Sequence, residues 1–133
     1  MLDASRDGKV DVFTSALSIA ECTHVEDQNK LNQAKPFFMG LLASGRGGFK
    51  LVQPTLALME RARALRWIHS ISLRGSDAIH AATALHFGCS ELWSCDGKIA
   101  KSAPTFGSMG LRICAPRDTE QLPDDYRQGS LAV

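Results

Sequence analysis

This 133-residue chain has almost no excess of positive over negative charge, with 15 Lys and Arg against 14 Asp and Glu for a net +1 with His neutral. Such a balance argues against a strongly basic, nonspecific nucleic-acid binder. It leaves room for a local basic rim around an acidic site, which a total would hide. Tight cysteine pairing is missing as well. Neither Cys22-Thr23-His24 nor Cys89 with Cys95 has the Cys-x₂-Cys or His-x₃-His spacing of a structural zinc site, which argues against one, and Cys114 stands apart. The cysteines read as reduced, small buried hydrophobes, Cys22 in a helix and Cys95 and Cys114 in or beside strands. No apolar run reaches the length that spans a bilayer, and no charged start leads into one, so the expectation is a soluble, cytoplasmic chain with no membrane partner. Internal repeats and low-complexity segments are lacking too. What remains, at 44% hydrophobic and 22% charged, is the composition of an ordinary globular protein with one domain's worth of core.

Lys9–Ser15 is short, β-branched and aromatic and follows Asp7-Gly8, which predicts a strand entered from a turn. Ser15 then caps a predicted helix to about Asp27. A second helix is expected over Leu31–Ser44, interrupted at Pro36. Ser44–Gly48 breaks the chain, Phe49–Gln53 is a strand, and Pro54-Thr55 opens a helix to about Ile68. Ser76 caps an alanine-rich helix, Asp77–Phe87, that Gly88 ends. Glu91–Cys95 is a strand, Gly97–Ala103 a short helix and Leu111–Cys114 a last strand; 117–133 reads as a polar tail on the surface. Strands alternating with helices predict an α/β fold, a mostly parallel sheet sandwiched between helical layers.

Three acids occupy informative places. Glu21 shares a helix face with Leu17 and Val25, where a carboxylate is costly unless it reaches solvent, is paired or binds a cation. Asp77 starts a helix, which suits capping and the helix dipole. Asp96 follows a strand, where parallel α/β sheets form their sites, although an Asp before Gly97 also suits a turn.

The residues around these acids raise their joint weight. Phe13-Thr14-Ser15-Ala16-Leu17-Ser18-Ile19-Ala20-Glu21 resembles the strand ending in Thr-Ser, then a helix bearing Glu, of the PIN domain family. Leu73-Arg74-Gly75-Ser76-Asp77-Ala78-Ile79-His80-Ala81-Ala82 resembles its Asp-Ala-x-His-x-Ala helix start. Leu92-Trp93-Ser94-Cys95-Asp96 is similar to its Thr-x-Asp strand end, with Ser94 in the Thr position. Gly110-Leu111-Arg112-Ile113, then Pro116, resembles the last strand. The resemblance runs from Asp3 to Pro116 and implies a three-layer α/β/α fold. It also implies a metal-dependent ribonuclease, with toxins of toxin–antitoxin modules as the largest bacterial group. Glu21, Asp77 and Asp96 would be catalytic and metal-holding, with Mg²⁺ or Mn²⁺ suited to hard oxygen ligands. Ser15, Arg74, Ser94 and Lys98 would lie near the RNA, and Arg61, Arg63, Arg66 and Lys101 are further candidates for a phosphate-binding rim.

The family normally opens with a hydrophobic strand ending in another Asp, and then two helices. Here Leu2-Asp3-Ala4-Ser5 matches the end of the second helix better than that strand, so the first strand is expected to be missing. Its loss predicts weak or absent cleavage. It also predicts that Lys9–Ser15 pairs beside Glu91–Cys95, or that a strand comes from another copy. A PIN-derived module that binds RNA or an antitoxin without turnover is the alternative. A receiver-like phosphoacceptor fits poorly, for it lacks an acid pair after a first strand and a Lys after the last. The apolar run Phe37–Leu42 predicts a homodimer face, an antitoxin groove or simply core.

Overall fold

The computed structural model describes residues 1–23, 27–42 and 48–127. The chain divides into two compact units, Met1–Gln53 with the stretch from Leu122 onward, and Pro54–Gln121.

The first unit begins with α1 (Leu2–Arg6), helical as expected for a helix end before Asp7-Gly8. Asp3 in its first turn and Arg6 in its last both suit the helix dipole, and Ala4 is completely buried. Ser5 donates its hydroxyl to the Gly48 carbonyl. Strand β1 (Val12–Ser15) runs parallel to β2 (Phe49–Val52), with Val12 opposite Phe49 and Ser15 opposite Val52. The Ala16 N–H extends that ladder to the Val52 carbonyl at 2.8 Å. Helix α2 (Leu17–Glu21) is much shorter than predicted, ending at Glu21 rather than near Asp27. Its start is Ala16, and Ser15 serves it only through a 3.3 Å bond from the Leu17 N–H. Asp27 instead caps α3 (Gln28–Leu41), accepting the Asn29 N–H at 2.8 Å. Pro36 lies inside α3 without ending it, at the cost of one helical donor to the Asn32 carbonyl. The expected flexible break lies outside the described residues except for Gly48. Helix α8 (Asp124–Arg127) belongs to this unit, its Tyr126 hydroxyl donating to Asp7 at 2.7 Å.

The second unit carries most of the buried apolar side chains. Thr55 caps α4 (Leu56–Trp67), accepting the Leu58 N–H at 3.4 Å, and Leu58, Ala62 and Leu65 form the buried face. Helix α5 (Gly75–His86) packs against α4 through Ala78, Ala81 and Ala82, whose small side chains let the helices lie close. Arg74 occupies the cap position of α5 and no side chain caps it; Ser76 is already inside the helix, contrary to its predicted role. Gly88 takes a left-handed φ of 63° just past the helix, where a side chain would be strained. Strand β3 (Glu91–Trp93), helices α6 (Gly97–Ala100) and α7 (Ala103–Ser108) and strand β4 (Arg112–Cys114) complete the unit. The predicted single helix after Asp96 is thus two, the second started by Pro104 in its first turn. Phe106 and Leu111 are fully buried at the centre of this core.

Both strand pairings are parallel, with helices between the paired strands, as the alternating pattern predicts. They form two separate two-stranded sheets, however. Lys9–Ser15 does not pair beside Glu91–Cys95; among the described residues β1 bonds to β2 and β3 to β4. Each parallel pair therefore satisfies one edge of each strand, and a second partner would be needed for the other. Among the described residues no helix is long and apolar enough to cross a membrane.

Candidate functional site

The carboxyl ends of β3 and β4 form the best-defined candidate. Parallel α/β sheets place their binding crevices there, because the chain turns from strand to helix and exposes loop backbone. The Ser94 N–H continues the ladder to the Cys114 carbonyl at 3.0 Å. The Ser94 hydroxyl then accepts the Asp96 N–H at 3.0 Å, a local turn that sets where Asp96 stands. Asp96 caps α6, with Oδ1 accepting the Lys98 N–H at 2.7 Å. Asp96 is exposed, so its other carboxylate oxygen is open to solvent or a ligand. A cleft of about 650 Å³ adjoins it, lined among others by Ser94, Cys95, Gly97, Cys114 and Arg117. Arg117 is a cation that the sequence pattern did not single out.

Asp77 lies in the first turn of α5, half-buried, where the helix dipole favours a negative charge. Gly75 at the helix start has φ 55°, a left-handed turn that brings the chain from the exposed Arg74 into the helix. No hydrogen bond or ion pair engages Asp77 among the described residues. Its carboxylate is thus left without a structural partner among the described residues. His80, one turn on, is half-buried and engaged. Among the other arginines proposed for a rim, Arg66 bonds the Ser72 hydroxyl at 2.7 Å and Arg63 lies over the Trp67 ring at 4.8 Å.

In the first unit, Glu21 is the last residue of α2, exposed and engaged with a partner. Ser15 is only 1% exposed, so its hydroxyl organises the strand-to-helix turn rather than facing solvent. Thr14 and Ser18 share a 2.7 Å hydroxyl–hydroxyl bond across the same turn. His24 lies outside the described residues.

Among the described residues no group of three or more His, Cys, Asp or Glu side chains is assembled as a metal site. The donors in the second unit nevertheless suit a hard divalent cation. Mg²⁺ keeps several waters and binds through one or two carboxylates, and Asp77 and Asp96 are two carboxylates with oxygens not spent on ion pairs. All four cysteines are free. Cys22 and Cys95 are exposed rather than buried as expected, while Cys89 and Cys114 are half-buried, their thiol pKa values raised by that burial.

Glu91 is the residue that the sequence pattern missed. Its side chain is 3% exposed at the start of β3 and receives four donors. Trp93 Nε1 at 2.7 Å and the Thr119 hydroxyl at 2.5 Å reach Oε2. Arg112 Nη1 at 2.7 Å and the Glu120 N–H at 3.0 Å reach Oε1. Burial opposes its charge, but hydrogen bonds from Thr119, Trp93, Glu120 and Arg112 outweigh it and lower the pKa to about 2. The first part of the expected surface tail is thereby tied down: Pro116–Asp118 forms a 3₁₀ turn and Thr119 is buried. The signal was faint, an acid in an otherwise apolar strand opposite Arg112. Glu91 is spent on structure.

No curated protein and no solved structure matches the chain. A family model described as PIN domain does match, over residues 2–103, a span that holds Glu21, Asp77 and Asp96. With most of its length inside that match and both strand pairings among the described residues parallel, the chain belongs to the PIN domain family and has that family's layered α/β fold, a fold associated with nucleases.

Proposed function

We propose that this protein is a metal-dependent ribonuclease of the toxin type, hydrolysing RNA phosphodiester bonds. The observation that carries this reading is the pair Asp77 and Asp96, each at the start of a helix, the first without a structural partner among the described residues and the second beside a cleft at the strand ends. Both lie in the matched PIN span together with Glu21. Asp77 and Asp96, with Glu21, would hold Mg²⁺ or Mn²⁺. A cation so bound activates a water and neutralises charge developing on the phosphodiester. Ser94 holds the Asp96 backbone in place, and the exposed Arg74, Lys98 and Arg117 supply positive charge for the RNA backbone. Ser15 contributes by shaping the turn into α2.

As partners, the reading takes single-stranded or structured RNA as substrate, a cognate antitoxin protein and a second copy of the chain, all in the cytoplasm. Phe37 and Met39, both more than half exposed on α3, suit the antitoxin. A second reading, a PIN-derived module that binds RNA or an antitoxin without turnover, is favoured by one observation: no metal-binding group of three is assembled among the described residues.

The test incubates the chain with single-stranded RNA and Mn²⁺, with and without chelator, beside Asp77→Asn and Asp96→Asn. Slow cleavage that stops with chelator and in each variant is expected. RNA binding with no cleavage under any metal would transfer the conclusion to the second reading. Cleavage unchanged in both variants would remove these acids from the site.

A further inference from the structure

We infer that the outer face of α4 is a self-association surface on which a second copy of this chain packs its own α4 antiparallel about a two-fold axis. The inference is independent of the nuclease reading. At 3.6 residues per turn, the buried residues Leu58, Ala62 and Leu65 lie on one side of the helix. Leu56, Glu60, Arg63 and Trp67 lie on the other, spaced four, three and four apart, the spacing of a two-helix seam. That seam is apolar at its ends and exposed: Leu56 is 76% and Trp67 74% accessible, with Met59 beside them at 38%. Large apolar side chains so open on one helix face mark an interaction site.

Charge selects the occupant and its direction. In an antiparallel pair centred between Arg61 and Ala62, Leu56 meets the second copy's Trp67 and Glu60 meets the second copy's Arg63. Every contact occurs twice, as an isologous interface requires. A parallel pair would instead set Glu60 against Glu60 and Arg63 against Arg63. Within one copy, Glu60 has no ion pair among the described residues, and Arg63 is held over Trp67 at 4.8 Å, so the acid awaits a cation and the cation is already placed on the seam. A helix of 12 residues offers a small surface, so the dimer belongs to the weak, transient class.

Sedimentation equilibrium on the full chain tests this with Glu60→Arg and Arg63→Glu, each alone and in an equimolar mixture. Either variant alone places like charges at both central contacts and is expected to associate about tenfold more weakly than the natural chain. Mixed, the two restore both opposite-charge contacts and are expected to return to within about threefold of the natural chain. Leu56→Lys, also at an exposed position, is expected to be monomeric, and circular dichroism checks that all variants fold. A natural chain that stays monomeric to about 1 mM, single variants that dimerise normally, or a mixture no tighter than its components each overturn the inference.

Discussion

Replacing Glu91 with Gln isolates the one buried carboxylate in the second unit. The side chain keeps its shape but loses its charge and half of its accepting capacity. Whichever way the amide turns, its NH₂ faces either Trp93 Nε1 and the Thr119 hydroxyl or Arg112 and the Glu120 N–H, and the N–H groups on that side lose their acceptor. Breaking such a buried, charge-assisted set costs on the order of 3–5 kcal/mol. The depressed pKa of Glu91, which those same hydrogen bonds cause, leads to a similar figure. A carboxyl lowered from its ordinary 4.5 to about 2 on folding contributes about 3 kcal/mol. The sign follows from the depressed folded value. The stability is fully present above about pH 4.5, where the unfolded chain is also ionised, and is lost as the pH falls toward 2. Urea unfolding followed by tryptophan fluorescence at steps from pH 7 to pH 2.5 should therefore show Glu91→Gln less stable by about 3 kcal/mol at neutral pH. The gap should narrow steadily below pH 4.5, as the natural chain loses what the variant never had. A gap under about 1 kcal/mol at pH 7, or one that does not change with pH, would refute the role assigned to Glu91.

Phe106→Ala should cost about 3–5 kcal/mol in the same unfolding assay, because a completely buried ring leaves a cavity in the core; a loss near 1 kcal/mol would mean that the core collapses freely around it. Gly75→Ala should destabilise by about 1 kcal/mol through its φ of 55° alone, since a Cβ there meets nothing within 4 Å, and Gly75→Asn should cost less. Equal stability of all three chains would show that α5 starts differently in solution. Thiol labelling at pH 8 should show two fast groups, the exposed Cys22 and Cys95, and two slow ones, Cys89 and Cys114, whose burial reduces access and raises their thiol pKa. Four equally fast thiols would contradict the packing of β4 against its neighbours.

The alternation of parallel strands and helices was legible in the residues alone, because each element carries its period and its punctuation locally. Thr55 before α4, Gly88 after α5 and the β-branched Val12–Ser15 are visible without any tertiary knowledge. Family membership was legible in the same way, since the Thr-Ser, Ser-Asp-Ala and Ser-Cys-Asp segments are contiguous stretches. The role of Ser15 was not legible: a serine at a strand end suits a cap or a ligand contact equally, and only its burial decides for the turn. The lengths of α2 and of the helices after Asp96 also escaped, because short helices end where tertiary packing stops supporting them. Where Glu91 spends its charge and how the outer face of α4 is exposed depend on the folded chain. Both depend on residues distant in sequence, Thr119 and Glu120 for the first and the packing of α5 on one side of α4 for the second. A helical pattern says which residues share a face; which face a neighbour covers is settled by the fold.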